Sequence, residues 1–95
     1  DLTMDTRTRD VSRSGRSIQL SVKEYDLLNF LMRGAGRVLK RQDIMRGVWG
    51  ENFFGDDNLL DVYIRYLRQK IEHQDRPTLI NTVRGVGFIL RQTTD

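Results

Sequence analysis

The stretch NLLDVYIRYLRQKI, residues 58–71, decides the fold of this chain. Its buried-type aliphatic residues recur at spacings of four, three and four, which places them on one side of an α-helix. They are Leu60, Ile64, Leu67 and Ile71. The opposite side mixes guanidinium, amide, aromatic and methyl groups, which are the groups that contact base edges in a DNA major groove. It carries Asn58, Val62, Arg65, Tyr66 and Gln69, with Arg68 on the flank.

A second stretch, TVRGVGF at residues 82–88, places two glycines and an arginine in an otherwise extended sequence. Residues 78–83 are rich in β-branched side chains, and residues 88–91 supply a return strand, so we expect a hairpin with Arg84 at its tip. A helix suited to DNA, followed by a basic hairpin, predicts a winged helix-turn-helix. The predicted wing covers residues 78–91.

The composition excludes several classes of protein. Ninety-five residues are enough for one domain with a single core. The chain has no cysteine, which excludes disulfides and thiolate metal sites and agrees with a cytoplasmic location. Its apolar runs are too short to span a bilayer, so we expect no membrane partner. Because the chain starts with Asp1 rather than methionine, we take it as a piece of a longer protein.

The distribution of charge is more informative than its sum. Lysine and arginine number 16 against 13 acidic residues, and this net charge of +3 is shared by many proteins without a nucleic-acid partner. Four basic residues cluster on the predicted helix and wing, namely Arg65, Arg68, Lys70 and Arg84. Such a local basic patch is typical of DNA-binding modules, although a solvated helix face would show the same charges.

The first half of the chain predicts a small sheet and two helices. Residues 1–20 contain short strand-like runs around Ser14-Gly15, which indicates an antiparallel sheet with a tight hairpin. The sequence SVKE at residues 21–24 is a capping box, so we expect a helix over residues 21–35 that ends at a left-handed glycine. A second helix is expected over residues 40–49. Gly47 inside it costs about 1 kcal/mol relative to alanine, which predicts close packing there.

Residues 50–57 are expected to form a loop with two adjacent phenylalanines between acidic and small polar residues. A ring of Phe53 or Phe54 can fill the core beneath the loop, whereas an exposed ring would indicate a protein partner. Both interpretations stay open at this point. Of the other aromatic residues, Trp49 is expected to be buried between helices and Tyr63 to lie at the edge of the core.

Four motifs carry a resemblance to a known family. They are GRVL at residues 36–39, VWG at 48–50, DVYIRYLRQKI at 61–71 and TVRGVGF at 82–88. In this order and at these intervals they resemble the OmpR/PhoB-type effector domain of bacterial two-component response regulators. The resemblance covers nearly the whole chain. It implies one α+β winged helix-turn-helix domain over residues 1–95, with an N-terminal antiparallel β-sheet, a three-helix core and a C-terminal β-hairpin wing.

The resemblance also implies a function. Domains of this type bind double-stranded promoter DNA sequence-specifically and regulate transcription, with the recognition helix, here residues 58–72, in the major groove and the wing in the minor groove. They act as tandem copies on direct repeats, so we expect a monomer alone and a tandem dimer on DNA. They follow a receiver domain, presumed absent from these residues, that a histidine kinase phosphorylates. The loop at residues 50–57 occupies the position at which the family often contacts RNA polymerase.

The resemblance and the basic cluster together predict the site residues. DNA contacts are expected from Arg37, Asn58, Val62, Arg65, Tyr66, Arg68, Lys70, Thr82 and Arg84. Polymerase contacts are expected from Glu51, Phe53, Phe54, Asp56 and Asp57. Val62 suits a thymine methyl group, and Arg65 or Arg68 suits a guanine edge. Thr82 and Arg37 match phosphate contacts, and Arg84 matches the minor-groove contact of the wing.

Two residues depart from the family pattern, and one other class of function competes. Tyr66 stands where many members have arginine, and Phe88 replaces a common tyrosine, so its hydroxyl contact to phosphate is lost. The competing function is a winged-helix protein-interaction module that docks a protein through the wing and the two phenylalanines. An enzyme is not expected, because paired carboxylates and a nucleophile–histidine set are missing from the sequence pattern. No metal or cofactor is expected either.

Overall fold

The computed structural model describes residues 2–51, 58–72 and 76–91. The helices are α1 (Val22–Arg33), α2 (Arg41–Trp49) and α3 (Asn58–Ile71). The strands are β1 (Leu2–Met4), β2 (Val11–Arg13), β3 (Arg16–Ile18), β4 (Leu39–Lys40), β5 (Ile80–Val83) and β6 (Gly87–Leu90). An N-terminal antiparallel sheet, three helices and a C-terminal hairpin confirm the predicted α+β winged helix-turn-helix class. Within the described residues, every helix is too short or too polar to serve as a membrane span.

The N-terminal sheet has the strand order β1-β2-β3, with both pairs antiparallel. Its β2–β3 turn consists of Ser14 and Gly15, which both have positive φ, at 53° and 81°. A two-residue turn with positive φ at both positions follows the right-handed twist of the flanking strands. The tight hairpin expected at this step is therefore confirmed.

Helix α1 starts at the capping box that the sequence predicts. The Ser21 hydroxyl accepts a hydrogen bond from the Glu24 amide at 3.2 Å, and the Glu24 carboxylate accepts one from the Ser21 amide at 2.8 Å. The end of the helix differs from the expectation of a left-handed glycine. Gly34 has a φ of −101°, and the left-handed glycine is Gly36, at +85°. Gly34 fits close packing instead, because a Cβ there would lie 2.9 Å from the Leu39 side chain.

The core lies between the three helices and the inner faces of the two sheets. The apolar side of α3 is buried as predicted, and the four aliphatic residues are at most 1% exposed. They pack in one cluster with Leu27, Leu28, Leu31, Ile44, Ile80 and Leu90. Gly47 of α2 is close-packed as expected, because a Cβ there would lie 2.0 Å from the Phe30 ring. Trp49 differs from the prediction: it is only partly buried, at the edge of the cluster.

The second sheet has the order β4-β6-β5 and builds the wing. Its central strand β6 pairs Phe88 with Leu39 on one side and with Thr82 on the other. Gly87 permits the approach of β4, because a Cβ there would lie 1.9 Å from the Leu39 carbonyl oxygen. Strand β4 thus joins the segment before α2 to the wing, so the hairpin is anchored to the helical core at its base.

A buried ionic cluster joins the N-terminal sheet to the end of α3. Arg13 of β2 is fully buried and donates hydrogen bonds to the Ile71 carbonyl oxygen, to Glu72 Oε1 at 3.2 Å and to the Pro77 carbonyl oxygen at 2.7 Å. The Glu72 carboxylate also accepts from the amides of Leu79 and Ile80, at 3.0 and 3.1 Å. A cation at the C-terminus of a helix is favourable because the last carbonyl groups carry a partial negative charge. The cluster therefore fixes both the end of α3 and the start of β5.

Candidate nucleic-acid interface

The side of α3 opposite the core forms an exposed polar surface. At about 100° per residue, Asn58, Val62, Arg65, Tyr66 and Gln69 fall within an arc of about 100° that is centred opposite the buried stripe. Asn58, Arg65 and Gln69 are exposed, Tyr66 is 40% exposed and Val62 is half-buried. The structure therefore brings four of the six predicted contact residues of this helix together on one surface, namely Asn58, Val62, Arg65 and Tyr66.

A chain of aromatic rings supports the Tyr66 side of this surface. The Tyr63 ring meets Trp49 edge-on, with centroids 5.4 Å apart, and it meets Tyr66 edge-on at 5.7 Å. Edge-to-face pairs at these separations are favourable because the positive edge of one ring faces the negative face of the other. Tyr63 thus lies at the edge of the core as predicted, and it links the exposed Tyr66 to the end of α2.

An ion pair that the sequence analysis missed holds the first turn of α3. The Arg41 guanidinium donates to both carboxylate oxygens of Asp61, at 2.8 and 2.9 Å. A two-point pair of this kind fixes orientation as well as distance. Arg41 begins α2, so the pair links the start of α2 to the first turn of the predicted recognition helix. No local pattern in the sequence indicates a contact across 20 residues.

Arg68 is half-buried and contacts the wing. One of its guanidinium nitrogens donates to the Thr82 hydroxyl at 2.8 Å and to the Ile80 carbonyl oxygen at 3.0 Å. Its guanidinium carbon lies 5.9 Å from the centre of the Phe88 ring. Arg68 and Thr82, both predicted to contact DNA, therefore contact each other in the structure.

The tip of the wing consists of Arg84, Gly85 and Val86, all exposed. Gly85 has a φ of +75°, and the Val86 amide donates to the Val83 carbonyl oxygen at 3.0 Å, which closes the turn. Within the described residues, neither Arg84 nor Arg65 has an ion pair or a side-chain hydrogen bond. Arg37 is also exposed, in the segment between α1 and β4.

Lys70 points away from the wing. Two residues beyond Arg68, it projects about 160° around the helix, since each residue advances the helix by about 100°. Its ammonium group forms an ion pair with Glu24, whose side chain is 6% exposed. Burial by itself raises the pKa of the Glu24 carboxyl, but hydrogen bonds from Lys70 and Ser21 and the Lys70 charge outweigh it, so the pKa lies below its ordinary value. Lys70 therefore ties α3 to the start of α1.

The predicted polymerase-contact loop lies mostly outside the described residues. Glu51 is described and exposed, directly after α2. Phe53, Phe54, Asp56 and Asp57 lie outside the described residues, so their two interpretations stay open. Among the residues described, no three histidine, cysteine or acidic side chains lie close enough together to hold a metal ion.

Comparison with known proteins gives one consistent result. The family model described as "Transcriptional regulatory protein, C terminal" matches residues 15–90. The response regulator MprA of Mycobacterium sp. (strain KMS) is 50% identical over 93 residues, which are 98% of this chain and 40% of that protein. Across the similar curated proteins, the chain spans between 35% and 41% of their length.

Solved structures agree in fold and in sequence. The DNA-binding domain of Bacillus subtilis CssR has a TM-score of 0.83 and 30% identity, over 96% of this chain and all of that one. The DNA-binding domain of Klebsiella pneumoniae RstA, solved in complex with the RstA box, has a TM-score of 0.82 and 32% identity, over 94% of this chain and 89% of that one. Both likenesses extend over the helices and the wing together.

Proposed function

Because this chain belongs to the OmpR/PhoB-type family of response-regulator DNA-binding domains, we propose that it binds promoter DNA through α3 and the wing and thereby regulates transcription. The observation that carries the proposal is the exposed side of α3, where Arg65 and Tyr66 stand beside Val62. These groups face away from the core, and an α-helix fits the width of the major groove. The competing protein-interaction module is not supported, since the similar structures are DNA-binding domains.

We assign the contacts from the chemistry of each exposed group. Arg65 suits the two acceptors of a guanine edge, and Val62 suits the methyl group of thymine. Arg84 at the wing tip suits a narrow minor groove, where the negative potential is strongest. Arg37, in the segment before β4, and Asn58, at the start of α3, suit phosphate oxygens. Tyr66 has a ring and a hydroxyl where many family members have arginine, so the preferred base pair at that step is expected to differ.

The whole protein is proposed to follow the organisation of its relatives. In that arrangement a receiver domain, phosphorylated by a histidine kinase, controls the pairing of two copies on direct repeats in the cytoplasm. Glu51 and the residues after it occupy the position proposed for contact with RNA polymerase. The isolated domain is expected to be a monomer, because its core is closed by its own two sheets.

The test is a selection of bound sequences from a random pool of duplex DNA, repeated across a salt series. We expect a direct repeat with half-sites about one helical turn apart and an affinity that falls steeply as salt rises. A salt-sensitive interaction without an enriched motif would contradict sequence-specific binding.

Two substitutions then separate the two grooves. Arg65→Ala is expected to cost about 1–3 kcal/mol on the selected site and to relax the preference at one base pair. Arg84→Ala is expected to weaken binding while it leaves the preferences of α3 unchanged, because its groove is a different one. Arg16→Ala is a matched control, because it removes an exposed arginine that belongs to the N-terminal sheet and not to α3 or the wing. An unchanged ranking of target sequences for Arg65→Ala would refute the assignment of the helix.

A further inference from the structure

Arg68 connects the predicted recognition helix to the base of the wing at several points. Its guanidinium reaches Thr82 and Ile80 on β5 and lies over Phe88 on β6. Thr82 and Phe88 are directly paired across the two strands. One side chain from α3 therefore contacts both strands of the hairpin at a pair of directly opposite residues.

A second arginine, at the start of α2, also approaches the Phe88 ring. The Arg41 guanidinium carbon lies 5.9 Å from the centre of the Phe88 ring, while its nitrogens hold Asp61. The Arg41 amide donates to the Val86 carbonyl oxygen at 3.2 Å. Phe88 is 3% exposed and lies within reach of both guanidinium groups. Rotation of the wing about β6 is thus restrained from the α2 side as well as from α3.

The position of the wing tip is sensitive to this restraint. Arg84 follows Thr82 by two residues, which at about 3.3 Å per residue places the tip roughly 7 Å beyond the Arg68 contact. A rotation of about 10° at the base would move the tip by about 1 Å, which is enough to break a hydrogen bond of normal length. The distance between the Arg65 and Arg84 contacts on DNA therefore depends on the base of the wing.

We propose that Arg68 is a positioning residue, which holds the wing at the angle that aligns Arg84 with the minor groove while Arg65 occupies the major groove. This inference rests on the proposed function and deepens it, because it gives Arg68 a role other than contact with a base. A guanidinium is suited to this role, since its planar set of donors holds two acceptors and an aromatic face at once. Loss of Arg68 then weakens discrimination in a groove that Arg68 does not enter.

The test compares discrimination in the two grooves separately. The site recovered by selection is prepared with single changes under α3 and with A·T to G·C changes under the wing, and affinities are measured at one salt concentration. For Arg68→Met and for Thr82→Val, the A·T over G·C preference under the wing is expected to fall at least about threefold, within the range that one base pair supplies. The preferences under α3 are expected to stay unchanged. Thr82→Ser keeps the hydroxyl acceptor and is expected to retain the preference.

The double variant and the alternatives complete the test. Arg68→Met with Thr82→Val is expected to lose no more wing preference than Arg68→Met alone, because Thr82→Val removes a contact that Arg68→Met already breaks. If Arg68→Met instead abolishes preference at a base pair under α3 and Thr82→Val does not, Arg68 contacts a base and the proposal is wrong. A uniform loss on every duplex, with a lower salt dependence, would identify a phosphate contact and would also overturn it.

Two controls separate this proposal from loss of the fold and from failure of the proposed function. Arg68→Lys keeps the charge and most of the side chain but lacks the planar set of donors, so it is expected to lose wing preference even where Arg68→Met folds poorly. If the unchanged protein enriches no motif, the proposed function itself has failed. If it enriches a motif and Arg68→Lys keeps full wing preference, only the positioning role is refuted.

Discussion

Replacing Arg13 with methionine tests how much the buried ionic cluster contributes to the fold. The Arg13 side chain is fully buried and donates to two backbone carbonyl oxygens, of Ile71 and Pro77, and to the Glu72 carboxylate. Methionine is unbranched and fills the space of the arginine side chain as far as about its Nε, but it has no charge and no donor. The substitution therefore keeps most of the buried volume and removes each of these hydrogen bonds.

The expected loss follows from the groups that remain. Glu72 is only 18% exposed, so without Arg13 its carboxylate stays largely buried and loses its countercharge. Removing one partner of a buried pair costs about 3–5 kcal/mol. The two carbonyl oxygens that lose the Arg13 donor add to this cost. Such a loss is a large part of the roughly 5–15 kcal/mol that stabilises a domain of this kind. At about 4 °C or more per kcal/mol, the melting temperature is expected to fall by at least about 12 °C.

Urea unfolding with linear extrapolation measures this loss, provided that the denaturant slope does not change. Arg16→Met is the matched control: Arg16 is paired with Arg13 across β2 and β3 but is exposed, so its substitution is expected to cost no more than about 0.5 kcal/mol. A second change, Glu72→Gln in the Arg13→Met background, is expected to recover part of the loss, because it removes the unpaired charge and keeps an oxygen acceptor for the amides of Leu79 and Ile80. If Arg13→Met costs less than about 1 kcal/mol, the cluster does not stabilise the fold as reasoned.

Two further substitutions test close packing and the buried carboxylate. Gly47→Ala adds a Cβ that would lie 2.0 Å from the Phe30 ring, so overpacking of about 1–3 kcal/mol is expected to exceed the gain of about 1 kcal/mol in helix propensity. The cost should shrink in a Phe30→Leu background, and a net stabilisation by Gly47→Ala alone would refute the contact. Because the pKa of Glu24 is lowered on folding, its contribution to stability is present above the ordinary value of 4.5 and is lost as the pH falls below it. Glu24→Gln, which keeps an oxygen for the capping box, is expected to lose less stability than the unchanged chain between about pH 5 and about pH 3, and parallel curves of unfolding free energy against pH would contradict this.

Local patterns in the sequence predict the helices and turns well, because these elements are determined by residues that are close together in the sequence. The buried stripe of α3 follows from the 3.6-residue repeat, and the start of α1 follows from Ser21 and Glu24, three residues apart. The turn at Ser14-Gly15 depends only on the conformations that two adjacent residues can adopt. The sequence does not show which of the two glycines after α1 is left-handed, because Gly34 and Gly36 have the same local context; in the structure Gly36 has the positive φ and Gly34 packs against Leu39.

The partners of charged side chains were not predictable, because they lie far away in the sequence. Arg41 meets Asp61 and Arg68 meets Thr82 across separations of 20 and 14 residues, which no periodic pattern encodes. A basic residue on an amphipathic helix has the same sequence context whether water, a carboxylate or a phosphate surrounds it. The sequence therefore identified which positions on α3 and the wing are basic. It did not show which of these residues form ion pairs or hydrogen bonds within the fold.

The structure divides that cluster in a way that bears on DNA affinity. Arg68 and Lys70 leave α3 on opposite flanks, one bound to the wing and the other to Glu24, so both fasten the helix to its surroundings. Arg65 and Arg84 are exposed and, within the described residues, have no side-chain partner. Each cation that neutralises a phosphate releases counterions and adds about 0.9 to the salt dependence of binding, and a cation that keeps its partner in the domain adds little. We therefore expect a salt dependence smaller than four phosphate contacts would give, because Arg68 and Lys70 already have partners within the domain.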